Sequence, residues 1–331
     1  MRWPFPNRDL QGEAEMKYHD FYFPSSSGLT QIHVNVWLPE DRPIRAVIQI
    51  AHGVAEYGMR YAPFAAFLCD QGYAVLAGDH LGHGQSTIPG KPMVYLGEDD
   101  GWRCVVEDLE KLRQMIYAQY PHLPVCLFGH SMGSFLTRTH MILYPGLYDG
   151  YILCGTGYPD AVSLHFGRWL SSQMAHHRGK DAYSSLLENL AFGRYNKRFA
   201  PNRTTFDWGS RNEENVDAYL ADPLCGQPAT IGLFHDLFGG LLYITKAENI
   251  AQMSKERPVL LISGSDDPVG DMGYGVRKTY QAFRNAGVRD VRMKLYPGLR
   301  HEILNERENQ TIFAHVASWL ETHMLTGRES T

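Results

Sequence analysis

"CLFGHSMGSF" fills residues 126–135, and its centre, Gly129-His130-Ser131-Met132-Gly133, sets one serine between two glycines. The apolar run "PVCLF" precedes the motif, and "SFLTRTHMIL" resumes a helical pattern after it. A serine at a strand-to-helix turn must adopt a strained backbone to lift its hydroxyl above the sheet, and side chains two residues away would collide there. Glycine at 129 and 133 avoids that collision. The turn also aims the first amides and the dipole of the following helix at the anion formed when Ser131 attacks a carbonyl. The stretch therefore predicts a nucleophile elbow of Gly129, His130, Ser131 and Gly133.

Outward from the elbow, strand-like and helix-like segments alternate. "HVNVWLP" (33–39) alternates apolar and polar residues like an edge or half-exposed strand, whereas "AVIQIAHG" (46–53) reads as a strand buried on both faces. "RYAPFAAFLCDQGY" is helical up to Gly72, and "YAVLAGD" is a strand. A helix over "DGWRCVVEDLEKLRQMIYAQYP", the elbow strand and helix, and the strand "DGYILCG" continue the series. From Tyr158 to Ser254 the rhythm breaks into about four helix-like stretches. It resumes with "RPVLLISGSDDP", a helix over "GVRKTYQAFRNAG", the strand "VRMKLYPG" and a final helix from Ile303 to Met324. The pattern predicts an α/β fold with a doubly wound, mostly parallel sheet. Residues 1–157 and 255–331 form the expected core, and 158–254 a helical cap inserted after the sixth strand.

The 331 residues are 44% hydrophobic and 20% charged, ordinary for one large globular domain with an insertion. A net charge of -5 lacks the basic footprint of a nucleic-acid binder, so no nucleic-acid partner is expected. Cys69, Cys104, Cys126, Cys154 and Cys225 lie far apart, are odd in number and form no CxxC pair. They encode neither a disulfide framework nor a zinc site and fit a reducing compartment. The N-terminal stretch, broken by Pro4, Pro6 and charges, has no signal-like apolar core, and no later segment is long and apolar enough to span a bilayer. The expectation is a cytoplasmic protein.

A serine hydroxyl needs a base to take its proton and a carboxylate to orient that base. His301, in "LYPGLRHEILNE", falls in the loop after the last strand, where the carboxyl ends of strands converge above an open sheet. "LLISGSDDPVG" supplies Asp266 and Asp267 in another such loop, and spacing alone does not separate them. The chain order serine, aspartate, histidine is that of an α/β-hydrolase. "IAHGVAEY" adds a turn whose Val54 amide could pair with that of Met132 as an oxyanion hole.

With "HGVAEY", "GDHLGHGQS", "GHSMGS", "SGSDDPV" and "YPGLRHEILNE" in this order, nearly the whole chain resembles the α/β-hydrolase superfamily, within it the monoglyceride lipase and lysophospholipase group related to serine aminopeptidases. The resemblance implies an eight-stranded sheet flanked by helices and carboxylic-ester hydrolysis without a cofactor. It implies Ser131 as nucleophile, His301 as base, Val54 and Met132 as oxyanion amides, and Asp267 rather than Asp266 as the acid. It also makes the Asp79 turn in "GDHLGHGQS" structural rather than part of a metal site.

The cap should choose the substrate. "TIGLFHDLFGGLLYI" (230–244) offers Phe234, Leu237, Phe238 and Leu241 for an acyl pocket, and a helix burying its own core would want the same side chains. The expected substrate is a monoacylglycerol or lysophospholipid, with transient membrane contact through the cap as a further expectation. A short-chain carboxylesterase is one alternative. A serine aminopeptidase is another, needing an acidic anchor such as Glu188, Glu213 or Glu214, and a binding protein on an inactive scaffold is a third. "HEILN" lacks the second histidine of a zinc protease, since Asn305 stands in its place, and no complete dinucleotide or phosphate-loop fingerprint occurs.

Overall fold

The computed structural model describes residues 16–325. Eight strands form one sheet: β1 (Met16–Pro24), β2 (Gln31–Pro39), β3 (Ala46–Ala51), β4 (Tyr73–Gly78), β5 (Val125–His130), β6 (Gly150–Cys154), β7 (Val259–Gly264) and β8 (Val291–Tyr296). Their spatial order is β1-β2-β4-β3-β5-β6-β7-β8. Only β2 runs against its neighbours; every pairing from β4 to β8 is parallel. This is the α/β-hydrolase fold.

β3, β4, β5, β6 and β7 are buried at every residue, because helices cover both faces of a parallel sheet. α1 (Ala62–Asp70) and α10 (Asn309–Leu320) pack on one face through Phe64, Leu68, Ile312 and Phe313. α2 (Gly101–Gln119), α3 (Met132–Leu143) and α9 (Tyr274–Asn285) pack on the other through Val105, Leu136 and Phe283. Between β6 and β7 the chain forms α4 (Ala161–Arg178), α5 (Ser185–Ala191), α6 (Glu213–Ala221), α7 (Ile231–Thr245) and α8 (Ala247–Ile250). Caps match the sequence chemistry: Asp160, Ser184 and Thr230 accept from the third amide of α4, α5 and α7.

Two sequence expectations need correction. "HVNVWLP" is no edge strand: β1 pairs with β2 along its whole length and leaves β2 interior. Its polar positions are buried and satisfied, His33 by Asp79 and Asn35 by the Tyr18 hydroxyl and the Ala77 carbonyl, so alternation there does not report solvent. The last helix does not begin at Ile303. That residue opens a short 3-10 turn, and α10 starts at Asn309, leaving the segment around His301 free to bend over the sheet.

Candidate active site

Ser131 caps the N-terminus of α3 with φ 52° and ψ -121°, a conformation L-residues avoid, and its amide donates to the Cys154 carbonyl at 2.9 Å. A Cβ at Gly129 would stand 2.3 Å from Thr137 Oγ1, and one at Gly133 2.0 Å from the Ala51 carbonyl oxygen. Both glycines let α3 pass tightly beneath β3 and β5, which holds the serine at the carboxyl end of the central strand. Val54 and Met132 flank Ser131 on the same cavity wall. Met132 is the first residue of α3, so its amide has no acceptor within the helix.

The loop after β7 carries Asp267 and the loop after β8 carries His301, both almost fully buried. Nδ1 of His301 lies 3.0 Å from Asp267 Oδ1. Asp267 also accepts from the Ser263 hydroxyl at 2.8 Å and the Val269 amide at 2.9 Å. Burial pushes this carboxyl up, but its interaction with His301 and these hydrogen bonds outweigh it and hold Asp267 below the usual carboxylate range. An ionised carboxylate only accepts, so Nδ1 carries the proton and Nε2 is left as the free acceptor; His301 and Ser131 line the same cavity. Asp266, by contrast, accepts from Ser265 and makes no bond to the histidine.

The His130 ring lies tilted against His301 with centroids 4.7 Å apart, and its Nδ1 reaches Glu56 Oε1 at 3.2 Å. Glu56 is the hub of a buried cluster that sequence reasoning missed. It accepts from the Gly53 amide, the Tyr61 hydroxyl and Arg60. Arg60 in turn grips both oxygens of Glu302 at 2.7 and 2.8 Å, and Asn215 of α6 donates to Glu302 at 2.7 Å. Burial raises both carboxyls, yet His130 and Arg60 hold Glu56, and Arg60 holds Glu302, below the ordinary range. The i, i+4 spacing of Glu56 and Arg60 was visible, but nothing local joins that turn to Glu302.

Two cavities meet at Ser131. One, of about 410 Å³, is lined by Gly53, Glu56, Glu188, Thr205, Tyr219, Gln227, His301 and Glu302 among others. The second, of about 460 Å³, is mostly apolar and includes Phe135, Leu164, Leu186, Leu190, Leu237, Phe238 and Leu241. Val54, Ser131, Asn189, Phe192 and Trp208 belong to both walls. Trp208 also covers His301, ring to ring at 5.3 Å.

Of the predicted substrate-binding residues, Leu237, Phe238 and Leu241 reach the apolar cavity, whereas Phe234 does not. Phe234 is fully buried behind Phe192 and Phe238, because it stands one helical turn further toward the start of α7 and those two rings cover it. Glu188 lines the first cavity, and burial pushes its carboxyl up; Glu213 and Glu214 are exposed on α6, away from both cavities. The His80 ring lies tilted and the His83 ring edge-on against His52, and their ring nitrogens meet the His52 and Leu81 carbonyls. Among the described residues no group of three or more His, Cys, Asp or Glu is placed to hold a metal ion, and no helix is long and apolar enough to cross a membrane.

A serine on a strained strand-to-helix turn, a histidine and an aspartate in that chain order, and a flanking two-part cavity define the class: an α/β-hydrolase. The family model described as "Serine aminopeptidase, S33" matches residues 42–308, and the chain belongs to that family. It is 32% identical over 301 residues to a monoacylglycerol lipase of Mycolicibacterium smegmatis, covering 90% of this chain and 95% of the relative. It is 27% identical to the Homo sapiens monoglyceride lipase, covering 88% and 86% of the two chains. Among solved structures, a thermostable carboxyl esterase from Bacillus coagulans in complex with glycerol superposes with a TM-score of 0.85 at 28% identity, covering 93% and 99%. The chain is a carboxylic-ester hydrolase.

Proposed function

We propose that the protein hydrolyses monoacylglycerols through a Ser131-His301-Asp267 triad. Residues 158–254 act as the substrate-selecting cap, and 1–157 with 255–331 as the catalytic core. The observation that carries this reading is the meeting at Ser131 of a mostly apolar cavity and a second one that holds Glu56, Glu188, Gln227 and Glu302. A long acyl chain fits the first and a small polyol the second.

Ser131 Oγ attacks the ester carbonyl while His301 Nε2 takes its proton. The amides of Val54 and Met132 receive the charge that builds on the carbonyl oxygen. The tetrahedral adduct collapses, His301 returns the proton to the departing alcohol, and water repeats the sequence on the acyl-enzyme. Asp267 holds the tautomer and stabilises the imidazolium.

The alcohol-side lining contains Glu56, Glu188 and Glu302 and, among the described residues, no lysine or arginine, which supports a neutral alcohol over a phosphate-bearing one. Val162, Phe166 and Trp169 are exposed on α4, and Leu186 and Leu190 on α5 at the rim of the apolar cavity; they support transient contact of this rim with a lipid surface. Five free cysteines support a cytoplasmic location.

Fluorophosphonate labelling of wild type and Ser131→Ala, followed by hydrolysis of monoacylglycerol and lysophospholipid series, tests the proposal. Label lost in the variant together with long-chain monoacylglycerol turnover supports it. Label without lipid turnover redirects attention to short esters, and no label returns the binding-scaffold alternative. The position of Glu188 favours one second reading, an aminopeptidase anchoring a free amine, which an aminoacyl-amide assay decides.

A further inference from the structure

Arg138 is fully buried on α3, two turns beyond Ser131, and among the described residues no carboxylate pairs with it. Burial pulls its guanidinium down to about 10. Its partners are all neutral and come from two distant stretches of chain. Nη1 donates to the Gly157 carbonyl at 2.7 Å and to Thr156 Oγ1 at 3.4 Å; Nη2 donates to the Ile244 carbonyl at 3.2 Å. The Tyr158 and Phe283 rings each lie 5.8 Å from the guanidinium carbon. Gly157 is where the chain leaves β6 for the cap, and Ile244 is where α7 ends on the way back. The two crossings are also joined directly, by the Tyr158 hydroxyl and the Thr245 carbonyl at 2.7 Å.

A buried cation without a counter-charge is costly, and leucine or methionine would fill the same volume without that cost. What the guanidinium adds is a rigid fork that reaches two chain segments at once from a third. The third is the nucleophile helix, whose Met132 and Phe135 form one wall of the apolar cavity; α7, held at its end by Ile244, supplies Leu237, Phe238 and Leu241 to the other.

We propose that Arg138 is a positioning residue: by clasping both crossings of the cap to the nucleophile helix, it sets the spacing between the acyl-binding face of α7 and Ser131. It touches neither cavity and acts through α7. The inference rests on the acyl-pocket reading above.

Arg138→Lys keeps the charge but has one ammonium where two arms are needed. The measurement is steady-state hydrolysis of acetyl and hexadecanoyl p-nitrophenyl esters, with folding checked by circular dichroism. The expected result is a loss in kcat/KM on the hexadecanoyl ester on the order of tenfold, carried mainly by KM, with acetyl turnover unchanged. Equal loss on both esters, tracking a fall in melting temperature, overturns the proposal, as does no loss on either.

Hydrogen exchange of the wild type provides a second readout if the variant does not fold. The segments around Gly157 and Ile244 should exchange as slowly as the central strands while α4 and α5 exchange faster; crossings that open with α4 overturn the clasp. A wild type without any preference for long chains removes the acyl-pocket reading instead, and the exchange result then decides the clasp alone.

Discussion

His301 Nδ1 meets Asp267 Oδ1 at 3.0 Å, with both groups sealed from solvent, while Asp266 turns to Ser265. One residue of register thus separates a carboxylate that can hold an imidazole from one that cannot. Asp267→Asn should lower kcat by about 10⁴-fold with the fold retained, and Asp266→Asn should leave it nearly unchanged. Steady-state kinetics on a p-nitrophenyl ester decides between them, and the reverse ranking would refute the assignment.

Gly133→Ala places a methyl group 2.0 Å from the Ala51 carbonyl oxygen, a backbone atom that cannot move without disturbing β3. Overpacking of this kind costs about 1–3 kcal/mol or more, so the melting temperature should drop by several degrees. Labelling of Ser131 should weaken along with it, because β3 leads into the Val54 turn.

Arg60 balances two buried carboxylates, Glu56 and Glu302. Arg60→Met leaves both without their shared cation and should destabilise the protein by about 3–5 kcal/mol in urea unfolding. A loss below about 1 kcal/mol would mean that water reaches the cluster and screens it.

Six histidines, His19, His52, His80, His83, His140 and His315, titrate below their ordinary value because burial disfavours the cation; His52 is lowered to about 3. Burial opposes the charged form of His33 and His130 as well, but Asp79 and Glu56 raise these two. A depressed histidine contributes stability that is complete above the unfolded value and is lost as pH falls below it; a raised one contributes in the opposite sense. The lowered set is larger, so the urea midpoint should hold near pH 7.5 and fall below about pH 6.5, with each extra proton taken up on unfolding adding about 1.4 kcal/mol per pH unit. A midpoint that rises on acidification to about pH 5.5 would contradict this sum.

Leu241 faces the apolar cavity from the last turns of α7. Leu241→Trp should shorten the usable space and lower the ratio of hexadecanoyl to butyryl ester hydrolysis by roughly tenfold. An unchanged ratio would place the acyl chain elsewhere.

Local chemistry made much of this molecule legible in advance. Continuous apolar runs marked the buried parallel strands, and glycines at 129 and 133 marked the tight turn, because a strand buried on both faces and a strained backbone each constrain their own residues directly. The order of serine, aspartate and histidine followed from loops that all leave the same end of the sheet. Tertiary packing decided the rest. It turned Phe238 toward the cavity and Phe234 behind it, made β2 interior although its polar residues alternate, and gathered Glu56, Arg60 and Glu302 across more than two hundred residues of chain. It also brought Gly157 and Ile244 to the two arms of Arg138. Hydrogen bonds of that kind join groups whose own sequence neighbourhoods carry no trace of the partner, and only the folded chain brings them within reach.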